Sequence, residues 1–142
     1  MKVQGYNAYI VSDVLIGAGL SSSAAFEVIL GTIISGLFNE GSIDPVVIAQ
    51  TGQYAENVYF GKPCGLMDQM ACSVGGMIHI DFKEPGSPVV EKVPSDFESY
   101  QYSMCIVDTK ASHADMGDDY ASIPEEMKKS GKILWKDVSA RG

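Results

Sequence analysis

At 142 residues, 46% of them hydrophobic, the chain is long enough to bury one substantial core but not two complete ones. Ten basic against eighteen acidic residues give a net charge of −8, which speaks against nucleic acid and anionic membranes as partners. Nucleotides are not excluded, because backbone N–H groups and a metal ion can bind them.

"MKVQGYNAY" at the start has no signal-like apolar core, and no apolar stretch reads as long enough to span a bilayer. "NAYIVSDVLI", Asn7–Ile16, is rich in β-branched and aromatic residues and predicts a strand. "IGAGLSSSAAFE" then leads into a helix expected over Ser22–Phe38, apolar on most sides and therefore expected to be buried, with Phe26, Leu30, Ile33 and Leu37 on one face. Asp44-Pro45 reads as an N-cap followed by proline in the first turn, opening a second helix to about Phe60 with Ile48, Gly52, Ala55 and Tyr59 on one side. "GKPCG" is a loop, "LMDQMACSV" a short helix, and Gly75-Gly76 a turn into a strand over Met77–Phe82. "VVEKV" and "YSMCIVD" are further strand candidates, and a helix is expected around Asp115–Ser130. The strands are not regularly interleaved with crossover helices, so the order predicts an α+β fold rather than a doubly wound sheet.

Cys64, Cys72 and Cys105 are odd in number and fit no zinc spacing, so reduced thiols in a cytoplasmic protein are expected rather than a disulfide framework. His79 alternates with Ile78 and Ile80 in its strand and reads as structural, with no partner visible in the sequence.

The glycine–serine loop has three readings. A Walker loop needs a lysine before its terminal Ser or Thr, and "GAGLSSSA" has none. A dinucleotide fingerprint would need a strand ending at Glu40, but Glu40 lies in the turn-like "NEGS". The plainest reading is a glycine-rich turn whose serines cap the helix behind it. Further along, "AENVYFGKPCGLMDQMACSVGG" carries Glu56 and Asp68 twelve residues apart, with a Gly/Pro bend between them. A helical Glu commonly serves a solvated face. Asp68, flanked by Leu66, Met67, Met70 and Ala71, calls for a partner or a task, because an unpaired carboxylate among apolar groups is poorly solvated.

Together, "GAGLSSSAAFE", "AENVYFGKPCGLMDQMA" and "DYASIPEEMK", in that order, resemble the galactokinase branch of the GHMP sugar kinases. The resemblance covers most of residues 7–130. It implies a GHMP-kinase N-terminal domain of the ribosomal protein S5 domain 2-like type over residues 1–108, and the start of a second α+β domain over 109–142. It implies a loop around the phosphates of ATP, formed by Gly17, Ala18, Gly19, Leu20, Ser21, Ser22 and Ser23, with the following helix N-terminus stabilising the anion. It implies Mg2+ held by Ser22 or Ser23 with Glu56, and Asp68 beside the sugar hydroxyl as general base or orienting acceptor. Tyr120, in "DDY", matches a tyrosine that contacts the sugar.

The implied activity is ATP-dependent phosphorylation of a monosaccharide, galactose at its anomeric hydroxyl. The alternative is a non-catalytic sensor of the same descent that binds ATP and sugar, although the loop and Asp68 carry no lesion that would mark one. Residues 1–16 contain no counterpart of the family's Gly-Arg-Thr-Glu-His segment, and only a short tail follows the tyrosine. These absences predict near-background turnover by the 142 residues alone, and self-association through apolar surface that a second domain would cover. "DTKASHADMGDDY" is acidic where the family carries arginines, which leaves the sugar open; His113 reads as a solvated helix-start residue, with a sugar contact as the alternative.

Overall fold

A computed structural model describes residues 2–16, 19–107 and 117–134. The elements in chain order are helix α1 (Ser22–Asn39), helix α2 (Pro45–Tyr54) running on into a π-helical turn (Ala55–Tyr59), helix α3 (Met67–Val74), strands β1 (Ile78–Asp81) and β2 (Val89–Lys92), and helix α4 (Gly117–Leu134). This mixture of helices with a small antiparallel sheet is consistent with the expected α+β class.

Helix α1 ends where Glu40 takes a left-handed conformation (φ 54°) and returns its N–H to the Ser35 carbonyl. Glu40 is therefore a helix stop and not the end of a strand. Helix α2 starts as its sequence predicts: the Asp44 side chain accepts from the Val46 N–H at 2.7 Å, with Pro45 in the first turn.

Two glycines let α1 and α2 cross closely. A Cβ at Gly31 would lie 2.9 Å from Cγ2 of Ile48, and one at Gly52 would lie 3.2 Å from the Glu27 side chain. Gly31 pairs with Ile48 and Glu27 with Gly52, so stepping four residues up one helix steps four down the other. The crossing is antiparallel, and α3 closes the third side through Gln69, 3.5 Å from the same Gly52 position. Ala49, Leu66 and Met70 form the buried core, with Val46, Ile80, Phe82 and Val90 packed against it. Strand β1 pairs antiparallel with β2 in the register Ile78↔Lys92, Ile80↔Val90, turning Ile80 and Val90 toward the helices. Burial of Met70, at about 1.5–3 kcal/mol for a side chain of that size, fixes the face that α3 presents.

The sequence reading needs several corrections. Residues 7–16 form no strand: among the described residues they have no ladder partner, and Tyr6 packs tilted against Phe38, ring centres 6.0 Å apart, near the end of α1. A strand exists only when its N–H and C=O groups find a ladder, and propensity alone supplies none. Residues 102–107 have no regular structure for the same reason. Helix α1 is not buried all round. Ala24, Val28 and Ser35 face inward, whereas Phe26 and Leu37 are more than half exposed. Helix α1 is long and apolar enough, by length and composition only, to cross a membrane, a test that core helices of soluble proteins also pass, although the sequence reading found no stretch long enough. His79 does have a partner: it sits opposite Glu91 across the two strands, Nδ1 3.9 Å from Oε2, with both side chains exposed.

Candidate functional site

Ser21, just ahead of α1, adopts a left-handed backbone (φ 55°, ψ 44°) that a non-glycine residue takes only under local constraint. Its hydroxyl does not cap the helix, as serine caps would predict. It donates instead to Oδ2 of Asp68 at 2.7 Å, across 47 residues of sequence. The first turn of α1 is thus left without a side-chain cap and without an acidic residue. Unpaired N–H groups and the positive end of the helix dipole make such a terminus receptive to an anion. Gly19, left-handed at φ 73°, and Leu20 lead into it, both exposed. Ser22 is half-buried and Ser23 exposed. The predicted phosphate residues Gly17 and Ala18 lie outside the described residues, as does His113.

Asp68 occupies the first turn of α3 and is exposed. Its apolar neighbours do not surround it, because Leu66 and Met70 turn into the core while Met67 points to solvent. Among the described residues Ser21 is its hydrogen-bond partner, and Oδ1 is left free to accept another donor. Tyr120 falls within α4, and its side chain lies outside what the structure describes.

Behind this pair lies a second, buried group around the expected Glu56, whose other members, Glu27, Lys62 and Gln69, the sequence reading missed. Glu56 is 4% exposed, turned inward by the π-helical turn in which it sits. That wider turn leaves Glu56 on the inward face it shares with Ile48 and Gly52, but throws Tyr59 out to 79% exposure, so Tyr59 leaves the face predicted for it. Oε1 of Glu56 accepts from Lys62 Nζ at 2.8 Å, and Oε2 accepts from Gln69 Nε2 at 3.1 Å. The same Gln69 nitrogen also donates to Oε2 of Glu27 on α1 at 3.1 Å. Gln69 is 1% exposed, and its Oε1 has no partner. The loop after the π turn is tied back by Asn57, whose amide accepts from the Cys64 N–H at 2.7 Å and donates to the Cys64 carbonyl at 3.3 Å.

The electrostatics follow from this geometry. Burial, reinforced by the charge of Glu56, raises Glu27 above the ordinary carboxylate range despite its Gln69 bond. Burial also acts to raise Glu56, but the Lys62 ammonium, with the Cys64 thiol and Glu27, holds it below that range. Glu56 in turn raises Lys62. Burial, then Glu56, push the Cys64 thiol up to about 12, so Cys64 is packing rather than a nucleophile. Two carboxylates thus share one amide, and one ammonium pairs with Glu56, leaving an excess of negative charge.

This donor set suits a hard divalent cation. It supplies carboxylate oxygens, surplus negative charge and an orphaned buried amide oxygen, and Ser23 lies one helical turn before Glu27 on the same face of α1. Among the described residues no group of three or more His, Cys, Asp or Glu forms a closed metal cage. A magnesium ion that keeps its waters and bridges phosphates needs none.

Comparison with known proteins gives a consistent result. The family described as GHMP kinases N terminal domain matches residues 1–76. The galactokinase of Streptomyces coelicolor is 32% identical over 140 residues, 96% of this chain and 35% of its own length. That of Pyrococcus furiosus is 32% identical over 138 residues, 97% of this chain and 38% of its own length. That of Lactobacillus helveticus is 34% identical over 140 residues, 97% of this chain and 35% of its own length. The chain therefore spans somewhat more than a third of these relatives. No solved structure gives a significant match.

Proposed function

The chain belongs to the GHMP kinases, and from that premise we propose that it is the nucleotide-binding and base-bearing part of a galactokinase-type sugar kinase. In this reading the protein transfers the γ-phosphoryl of ATP to the anomeric hydroxyl of galactose. Residues 1–108 belong to the S5 domain 2-like N-terminal domain, residues 109–142 begin a second domain, and the protein works in the cytoplasm. The observation that carries the reading is the 2.7 Å bond from Ser21 to Asp68, which joins the glycine–serine loop to the carboxylate expected at the sugar.

Residues Gly17–Ser23 wrap the phosphates, and the uncapped N–H groups at the start of α1 take their charge. Ser22 or Ser23 with Glu56 would hold a magnesium ion, with Glu27 a second negative charge behind them. Bound there, such an ion would supply charge neutralisation to the phosphates of ATP. Asp68 accepts the proton of the sugar hydroxyl through Oδ1, while the Ser21 hydroxyl on Oδ2 fixes the orientation of the carboxylate. The sugar oxygen forms the new bond to phosphorus as the bond to the ADP oxygen breaks, and positioning supplies most of the acceleration. Tyr120 contacts the sugar.

Asp68→Asn in the complete protein tests this. It should lower kcat for galactose phosphorylation by about 10²–10⁴-fold and leave ATP affinity, read by calorimetry, within about twofold. Turnover that survives the substitution removes Asp68 from the chemistry.

A further inference from the structure

The ion pair that closes over Glu56 has no role in the chemistry above, yet its two halves are unlike. The Glu56 side chain is 5% exposed and held on its other oxygen by Gln69, whereas the Lys62 side chain is 60% exposed. The acid is fixed and the ammonium can leave. Lys62 follows Gly61, left-handed at φ 65°, and its backbone N–H is anchored to the Glu56 carbonyl at 3.1 Å, so only the side chain need move. A lysine is a compact charge on a flexible stem, suited to leaving and returning.

The charge count is also unequal. Glu27 and Glu56 each accept from the same Gln69 nitrogen at 3.1 Å, and the Lys62 ammonium is paired with Glu56. Oε1 of that amide is buried and unpartnered, in a group already wedged between two carboxylates. A buried acceptor without a donor is unfavourable, and it belongs to the amide whose nitrogen already serves both carboxylates. A divalent ion would offset both acids where Lys62 offsets one.

We propose that Lys62 is a placeholder cation, seated on Glu56 when no divalent ion is bound and displaced into solvent when one arrives. It holds the carboxylate in place, and it weakens metal affinity by competing for the same oxygen. The proposal rests on the reading of Glu56 as a metal ligand, and its test separates the two.

The test is a titration of the complete protein with Mn2+ alone, free ion read by electron paramagnetic resonance, for the parent, Lys62→Met, Lys62→Arg and Glu56→Gln. Lys62 is exposed enough for its variants to fold. Lys62→Met should bind Mn2+ roughly tenfold more tightly, the scale of one charge-assisted hydrogen bond removed from competition. Lys62→Arg, which retains the cation, should match the parent. Glu56→Gln should weaken binding. If Lys62→Met binds no more tightly than the parent, including the case in which neither binds, the placeholder role is overturned. If Glu56→Gln leaves measurable Mn2+ binding unchanged, Glu56 is not a ligand, and the reading beneath the proposal fails with it.

Discussion

Replacing Glu27 by glutamine isolates the energetic burden of placing two acids on one amide. Each donor–acceptor distance to Gln69 Nε2 is 3.1 Å, so the two carboxylate oxygens lie no more than about 6 Å apart. At an effective dielectric near 20 the gross repulsion of two unit charges at that distance is about 3 kcal/mol. Lys62, 2.8 Å from Glu56, offsets part of it. The glutamine carbonyl still accepts from Gln69, losing only the charge assistance, about 1 kcal/mol. The net expectation is that Glu27→Gln stabilises the fold by about 1–2 kcal/mol at pH 7.5, seen as a Tm increase of about 3–8 °C.

The pH dependence gives the sharper check. The folded-state pKa of Glu27 is raised, so its carboxyl favours the fold below the ordinary range near 4.5, and that contribution is lost as pH rises through the raised value. The opposite shift of Glu56, whose contribution is lost as pH falls, is present in both proteins and largely cancels in the difference. The advantage of the variant should therefore be small near pH 4 and grow to a plateau by pH 7.5, followed by thermal or urea unfolding across that range. A variant less stable than the parent at pH 7.5, or a difference flat in pH, would refute the account of a strained acid pair. A gain in stability accompanied by weaker metal binding would mark Glu27 as an acid kept for function at the expense of the fold.

Gly31→Ala should destabilise by about 1 kcal/mol or more despite alanine's better helix propensity, because its Cβ meets Ile48 Cγ2 at 2.9 Å. In an Ile48→Ala background, which removes that methyl, the same substitution should turn neutral or stabilising in urea unfolding; additive effects would argue against the close crossing. Cys64, with its thiol pushed up to about 12, should react with maleimide at pH 8 at least roughly tenfold more slowly than exposed Cys105. Glu56→Gln should speed it by removing the acid beside the thiol, and mass spectrometry of labelled peptides reads both.

The elements legible in the sequence are those whose signals are local. Asp44-Pro45 announces the start of α2 because the cap is made within two residues, and Gly75-Gly76 turns into β1 because both adopt positive φ. The strands predicted at 7–16 and 102–108 required a ladder partner, and composition carries no information about which backbone lies alongside. The burial of α1 was misjudged for a related reason. Its apolar residues encircle the helix, but the side that packs is set by where Gly31 and Gly52 admit close approach, and that side carries Ala24 and Val28 rather than Phe26 and Leu37.

The site divides along the same line. Ser21 and Asp68 were recognisable as chemistry-bearing types, but their bond spans 47 residues and depends on how α3 is turned, which Met70 in the core decides. Glu27, Lys62 and Gln69 were passed over, although part of their signal was present. Glu27 falls four residues after Ser23 and Gln69 directly after Asp68, so both share a face or a turn with a residue already singled out. What spacing alone could not supply is the crossing that sets Glu27 against Gly52 and brings α3 down on both. A glycine at that crossing leaves room for a glutamine amide between two helices, and the amide then draws the carboxylates together. The acid cluster behind Asp68 is thus a product of close helix packing, and a bulkier residue at position 52 should separate Glu27 from Gln69 before it disturbs Ser21 and Asp68.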